Sequence, residues 1–164
     1  WRYRCAGLPA RGVTRLARGR SGSILVGTDD GLYLVDDAGR AVIAHWMGAE
    51  AEPAVTAIAA APDLYWVAFG RALIAYEPQS ELGPGPRVVE SYWLDSPVND
   101  LLLDPLGNVW AATNNSGLAQ VSCLRHALER IDLGHSGGVY SIRPGGDDEY
   151  LIGGENLLGS AVID

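Results

Sequence analysis

The chain has 164 residues, 48% of them hydrophobic, which is long and apolar enough to bury roughly 70% of its unfolded surface and excludes a disordered segment. All 12 basic residues are Arg, they face 20 acidic ones for a net charge of −8, and no basic run occurs. That balance excludes a phosphate backbone or an anionic membrane surface as partner.

No apolar stretch approaches the ~18 to 20 residues a membrane helix needs; Ala57 to Ala61, for example, stops at Pro62. Direct membrane insertion by this segment is therefore not expected. Twenty-one glycines beside one Phe and one Met point to turn-rich β structure. The chain opens at Trp1 with no Met or signal peptide, so a processed product or an excised segment is expected, with targeting information elsewhere. Cys5 and Cys123 stand in no metal spacing and read as two half-buried thiols, with a disulfide between them as the alternative.

Four segments align along the chain, led by Val13, Val55, Val98 and Val139 at spacings of 42, 43 and 41 residues. That period fits a four-stranded propeller blade or a helical pair. Local pattern decides for strands, because each repeat carries runs of four to six residues rich in Val, Ile, Leu, Tyr and Trp, bounded by Gly, Asp, Asn or Pro. In the first repeat the strands are expected at about Val13 to Ala17, Ile24 to Thr28, Leu32 to Asp36 and Ala41 to Trp46. The turn Ser21-Gly22-Ser23 is matched by Leu106-Gly107-Asn108 and by Asp147-Asp148 in later repeats. Ser122 to Ile131 has near-helical spacing of Leu124, Leu128 and Ile131. Its distance from Val121 to Gly134 nevertheless repeats that from Val35 to Gly48, and a hairpin is expected there. The last repeat is expected to stop after a third strand at Ala161 to Ile163.

The fold class expected is all-β, a β-propeller built from four blade repeats of about 42 residues. Three arrangements are open: a closed small ring, half of a larger ring completed by a second chain, and part of a longer propeller. Trp1 to Arg4 falls where an outer strand belongs, and it would complete the last blade.

The residues resemble the two-component-regulator propeller repeat family. The first repeat carries Gly7-Leu8-Pro9, Val13 to Leu16, Gly22 to Thr28 and Gly31-Leu32. The third carries Val98 to Leu101, Asp104 to Trp110 and Gly117-Leu118. The signature Trp stands as Trp66 and Trp110, with Leu25 and Leu151 at the equivalent places, and the signature Asp stands only as Asp104. The resemblance covers essentially the whole chain. It implies a β-propeller sensor domain of a bacterial signalling receptor, two-component or cyclase type, lying in the periplasm or otherwise outside the cytoplasm.

In a propeller, the loops entering each first strand and the loops joining second to third strands share one rim, where function is commonly placed. Those loops hold Arg11, Asp29, Asp30, Glu50, Glu52, Arg71, Asn114, Asn115, His135, Glu155 and Asn156. Such a varied polar set suits hydrogen-bonded recognition of a small polar or sugar-like ligand. The plainer reading is that Asp, Asn and Gly stand there for turn geometry.

Adjacent carboxylates at Asp29-Asp30, Asp36-Asp37 and Asp147-Asp148 diverge from one another and build no two-acid site for glycoside cleavage by themselves. His45, His126 and His135 lie far apart, with no Cys or second His at ligand spacing, so neither a metal nor a cofactor is expected. No nucleophile elbow or phosphate loop occurs, and the expectation is a non-catalytic chain. Trp46, Trp66, Tyr92, Trp93 and Trp110 are expected to pack between blades rather than to stack on sugars. The alternatives to a sensor are a protein–protein interaction scaffold and a propeller glycosidase or lyase.

Overall fold

The structure is a computed structural model and describes residues 5–8, 12–38, 42–46, 54–78, 87–131, 133, 137–146, 149–155 and 157–162. The expected outer strand Trp1 to Arg4 and the turn Asp147-Asp148 lie outside the described residues. Contacts divide the chain into two compact units, Trp1–Trp93 and Leu94–Asp164.

The first unit holds two antiparallel four-stranded sheets in sequence order. One is β1 (Val13–Arg18), β2 (Ile24–Thr28), β3 (Gly31–Val35) and β4 (Val42–Trp46). The other is β5 (Val55–Ala60), β6 (Tyr65–Phe69), β7 (Ala72–Glu77) and β8 (Arg87–Trp93). The second unit holds β9 (Val98–Leu103), β10 (Val109–Thr113), β11 (Leu118–Ser122) and β12 (Ala127–Ile131) in one sheet. A three-stranded sheet follows, of β13 (Val139–Gly146), β14 (Glu149–Gly154) and β15 (Leu157–Val162). Each leading valine is the first residue of its sheet.

Burial explains the composition. Side chains alternate across a strand, yet every residue of β6 and β10 is buried, as are four of the five in β2. These second strands are covered on both faces, which requires Val, Leu, Trp and small Ala in place of an apolar–polar alternation. In the first unit, Ala17, Leu25, Leu32 and Leu34 of the first sheet meet Val55, Ile58, Tyr65, Val67 and Phe69 of the second. In the second unit, Leu102, Trp110, Ala112 and Leu118 meet Val139, Ile142, Tyr150 and Ile152. Outer strand β8 is largely exposed.

The stretch from Ser122 to Ile131 is the expected hairpin, with β11 and β12 paired from Leu118–Ile131 to Ser122–Ala127. Tight turns sit where glycine was read as a signal: Gly22 and Gly107 adopt φ of 82° and 87°, and Ser21 joins them at 55°. Strand β15 departs from expectation, starting at Leu157 rather than Ala161. Its pairing begins at Gly154–Leu157 and runs through Gly159 without a break. Trp93 also departs: it ends strand β8, opposite Ala72, and is 56% exposed, whereas Trp66 and Trp110 are buried. Both thiols are free and half-buried, so the disulfide alternative does not hold.

Candidate functional site

The rim turns are built on backbone clips that recur by position. The N–H of Asp29 donates to the Gly12 carbonyl at 3.0 Å, that of Asn114 to Pro97 at 2.9 Å, and that of Glu155 to Gly138 at 3.0 Å. Each bond ties the turn after a second strand to the residue entering the first strand, which brings the two expected loop sets to the same sheet end. In the first unit this end carries Asp29 and Asp30, with Arg71 at the matching turn of the neighbouring sheet, and all three are exposed. In the second unit it carries Asn114, Asn115 and Glu155, of which Asn114 is half-buried. Arg11, Glu50, Glu52, His135 and Asn156 lie outside the described residues.

Below two of these turns, those at Asp29 and Asn114, sits a threonine that the sequence reading did not single out. Thr28, fully buried, has its hydroxyl 2.5 Å from Asp30 Oδ1 and 2.8 Å from the Gly31 carbonyl. The Tyr33 hydroxyl donates to Asp30 Oδ2 at 3.0 Å. Burial, this hydrogen bond and the Asp30 charge together push the Tyr33 hydroxyl above its ordinary value. In the second unit the buried Thr113 hydroxyl donates to the Gly117 carbonyl at 2.8 Å and accepts from the Ser116 N–H at 3.2 Å. The Asn115 N–H donates to Ser96 Oγ at 2.9 Å. Thr28 closes the Gly22 to Thr28 stretch quoted above for the repeat resemblance but not weighed as chemistry, whereas Thr113, which follows Ala112, lies outside the quoted stretches.

The arrangement divides labour in each turn. Asp30 holds its own loop, and Asp29 and Arg71 are exposed groups of opposite charge at the same end of neighbouring sheets. That pair of charges suits a polar ligand with donors and acceptors. His126 lies in the turn between β11 and β12, at the opposite sheet end. Among the described residues no group of three His, Cys, Asp or Glu side chains is placed to hold a metal ion.

A second polar cluster joins the first strands of the second unit. Asp100 Oδ2 accepts from the Ile142 N–H at 3.1 Å and pairs with the Arg143 guanidinium. Asn99 Nδ2 donates to the Val139 carbonyl at 2.9 Å. None of these was anticipated from the sequence, because nothing in a single repeat shows which polar residues reach the next sheet.

No family model matches the chain, and no curated protein matches it. Solved structures do. The extracellular domain of BT3049 from B. thetaiotaomicron, described as a hybrid two component system, aligns with a TM-score of 0.70 at 17% identity. The alignment covers 85% of this chain and 20% of that one. The extracellular domain of BT4673 from the same organism, described as a one component system, aligns with a TM-score of 0.68 at 18% identity over 93% and 20% of the two chains. The β-propeller domain of Cps50 (Swd1) from Myceliophteria thermophila aligns with a TM-score of 0.76 at 17% identity over 93% and 51%. The chain thus spans about a fifth of the length of the two extracellular domains. What it shares with all three is the fold, a propeller type made of antiparallel four-stranded sheets.

Proposed function

We propose that this chain is a ligand-sensing region of a bacterial signal-transduction receptor, non-catalytic by itself and placed outside the cytoplasm. Each sheet is one blade of about 42 residues. The observation that carries the reading is the clipped rim: exposed Asp29 in one unit, and Asn115 and Glu155 in the other, stand on turns whose backbones are tied to the entering strand, with exposed Arg71 at the matching turn of the second sheet. Rigid scaffolding with variable polar tips is how binding loops are commonly built. The likeness of fold to two extracellular domains of signalling systems supports the same reading. A ligand acts here by favouring one of two blade arrangements, which requires different affinity for the two.

Titration calorimetry of the chain against a panel of glycans and small carboxylic acids tests the proposal. Heat that Arg71→Ala or Asp29→Ala abolishes supports it. Silence across the panel, or binding unaffected by both substitutions, counts against it.

A docking scaffold is the second reading, favoured by Val88, Val89 and Trp93, which are exposed on outer strand β8. A stable complex broken by Val88→Lys and untouched by Arg71→Ala favours that reading instead. A glycosidase or lyase would need two carboxylates roughly 5 to 10 Å apart across a cleft. Asp30 is already spent on Thr28 and Tyr33.

A further inference from the structure

Two rim turns of the second unit share one strip of backbone. The turn after β10 is fastened at two successive N–H groups: Asn114 donates to the Pro97 carbonyl and Asn115 to the buried hydroxyl of Ser96, at 2.9 Å each. The Asn114 carbonyl stands so close to Gly138, at the entry to the next sheet, that a Cβ there would overlap it. Gly138 in turn accepts the Glu155 N–H at 3.0 Å through its own carbonyl, and that carbonyl crowds Gly154 in the same way.

Three backbone segments from two sheets are thus stacked with no side chain between them: Asn114, then Gly138, then Gly154 with Glu155. Two glycines make the stack possible. Such crowding is not general to the glycines of this unit, since a Cβ on Gly117 meets nothing within 4 Å. The middle layer is also gripped one residue further on, where Asn99 Nδ2 donates to the Val139 carbonyl at 2.9 Å. A side chain between layers absorbs a displacement by changing rotamer. Peptide groups in direct contact, each hydrogen-bonded to the next segment, have no such freedom and move as a set.

We propose that Gly138 couples the Asn114–Ser116 turn to the Glu155 turn, so that the two dock and lift together, with Ser96 as the positioning residue that holds the docked arrangement. Each turn has two arrangements, one with its N–H bonded to the entering strand and one with that N–H in water. When the first turn lifts, the Asn114 carbonyl withdraws from Gly138, and the strip that carries the Glu155 clip loses its support. The use of this coupling rests on the reading of the rim as a ligand-binding edge: a molecule that seizes Asn115 changes what Glu155 presents one sheet further on. The coupling is a free energy between two places and works in both directions.

Hydrogen exchange of single amides, read by NMR on the 164-residue chain with no ligand added, tests the proposal. Ser96→Ala removes the acceptor of the Asn115 N–H, whose exchange is expected to quicken roughly 5- to 10-fold. The coupling then quickens Glu155 as well, by about 3-fold, although Ser96 does not touch it. Ala111, in the middle of β10, keeps its rate. Reciprocity supplies a second arm: Glu155→Pro removes the N–H that bonds Gly138, and Asn115 is expected to exchange faster in that protein. A Ser96→Ala protein in which Asn115 quickens and Glu155 does not overturns the proposal, as does an unchanged Asn115 in either variant. Equal quickening at Ala111 also overturns it, because the whole sheet is then opening. With no ligand in the experiment, a failure here leaves the calorimetric test of sensing intact, and calorimetric silence leaves the coupling intact.

Discussion

The hydroxyl of Thr14 donates to the main-chain carbonyl of Val55 at 2.6 Å, from the first strand of one sheet to the first strand of the next. The same relation holds in the second unit, where Asn99 follows its leading valine as Thr14 does and bonds the Val139 carbonyl. Two different side chains at one repeat position thus perform one task. A net protein hydrogen bond contributes about 1 kcal/mol. Thr14→Val keeps the shape and removes the donor, so urea unfolding is expected to show a loss of about 1 kcal/mol with an unchanged m-value. A stability equal to wild type would mean that apolar packing alone sets the sheet spacing.

Asp104 is buried and accepts three bonds: from the Asn108 N–H at 2.8 Å, from Asn108 Nδ2 at 2.9 Å and from Trp110 Nε1 at 3.0 Å. It fixes the β9–β10 turn and the Trp110 ring, which stacks on Tyr150 with centroids 6.2 Å apart. Asp104→Leu strands three donors, and a loss of roughly 2 to 4 kcal/mol is expected in chemical denaturation. Asp104→Asn keeps one of the two acceptor oxygens, enough for the two bonds now made to Oδ2, and is expected to lose less than Asp104→Leu. Equal losses from the two would show that charge, not acceptor count, matters at this turn.

These two cases show what a single sequence discloses. The sheets were legible because period and punctuation are local: a 42-residue spacing, strand-length apolar runs and glycine turns. Asp104 was visible as a signature residue, though its role toward Trp110 needed coordinates. Thr14, Asn99, Asp100 and Arg143 were invisible, since their partners stand about 40 residues away in the next repeat and no local rule marks which polar residue reaches across. Trp93 misled because an aromatic at a repeated strand position was taken for an interior one, yet an outer strand has no sheet beyond it. At the rim, loop placement was legible from topology, while the buried threonines beneath it were hidden by their ordinary place at strand ends.

Gly138 and Gly146 make a paired test of close approach. A Cβ on Gly138 would overlap the Asn114 carbonyl, a backbone atom that has no freedom to swing away. A Cβ on Gly146 meets nothing within 4 Å. Gly138→Ala is therefore expected to destabilise by roughly 2 to 3 kcal/mol. Gly146→Ala is expected to be neutral, or to stabilise by up to about 0.5 kcal/mol through reduced freedom of the unfolded chain. Thermal melts of the two variants check this, and a smaller penalty at Gly138 would mean that the Asn114 turn relaxes.

Alkaline stability follows from two tyrosines of the second sheet. Burial pushes the Tyr76 hydroxyl up to about 12. Tyr92, stacked on Trp66, is raised to about 12 first by burial and then by its hydrogen bond to Glu90 at 2.8 Å and that carboxylate's charge. In the unfolded chain both hydroxyls ionise near ~10. Between about pH 10 and 12 the unfolded state therefore binds fewer protons than the folded one, and stability falls as pH rises. The contribution is fully present below pH ~10 and is lost progressively up to the folded values. Urea midpoints measured from pH 8 to 11.5 are expected to hold level and then drop. Tyr92→Phe removes one of the two ionisations and flattens the drop. A slope unchanged in that variant would assign the alkaline loss to other groups.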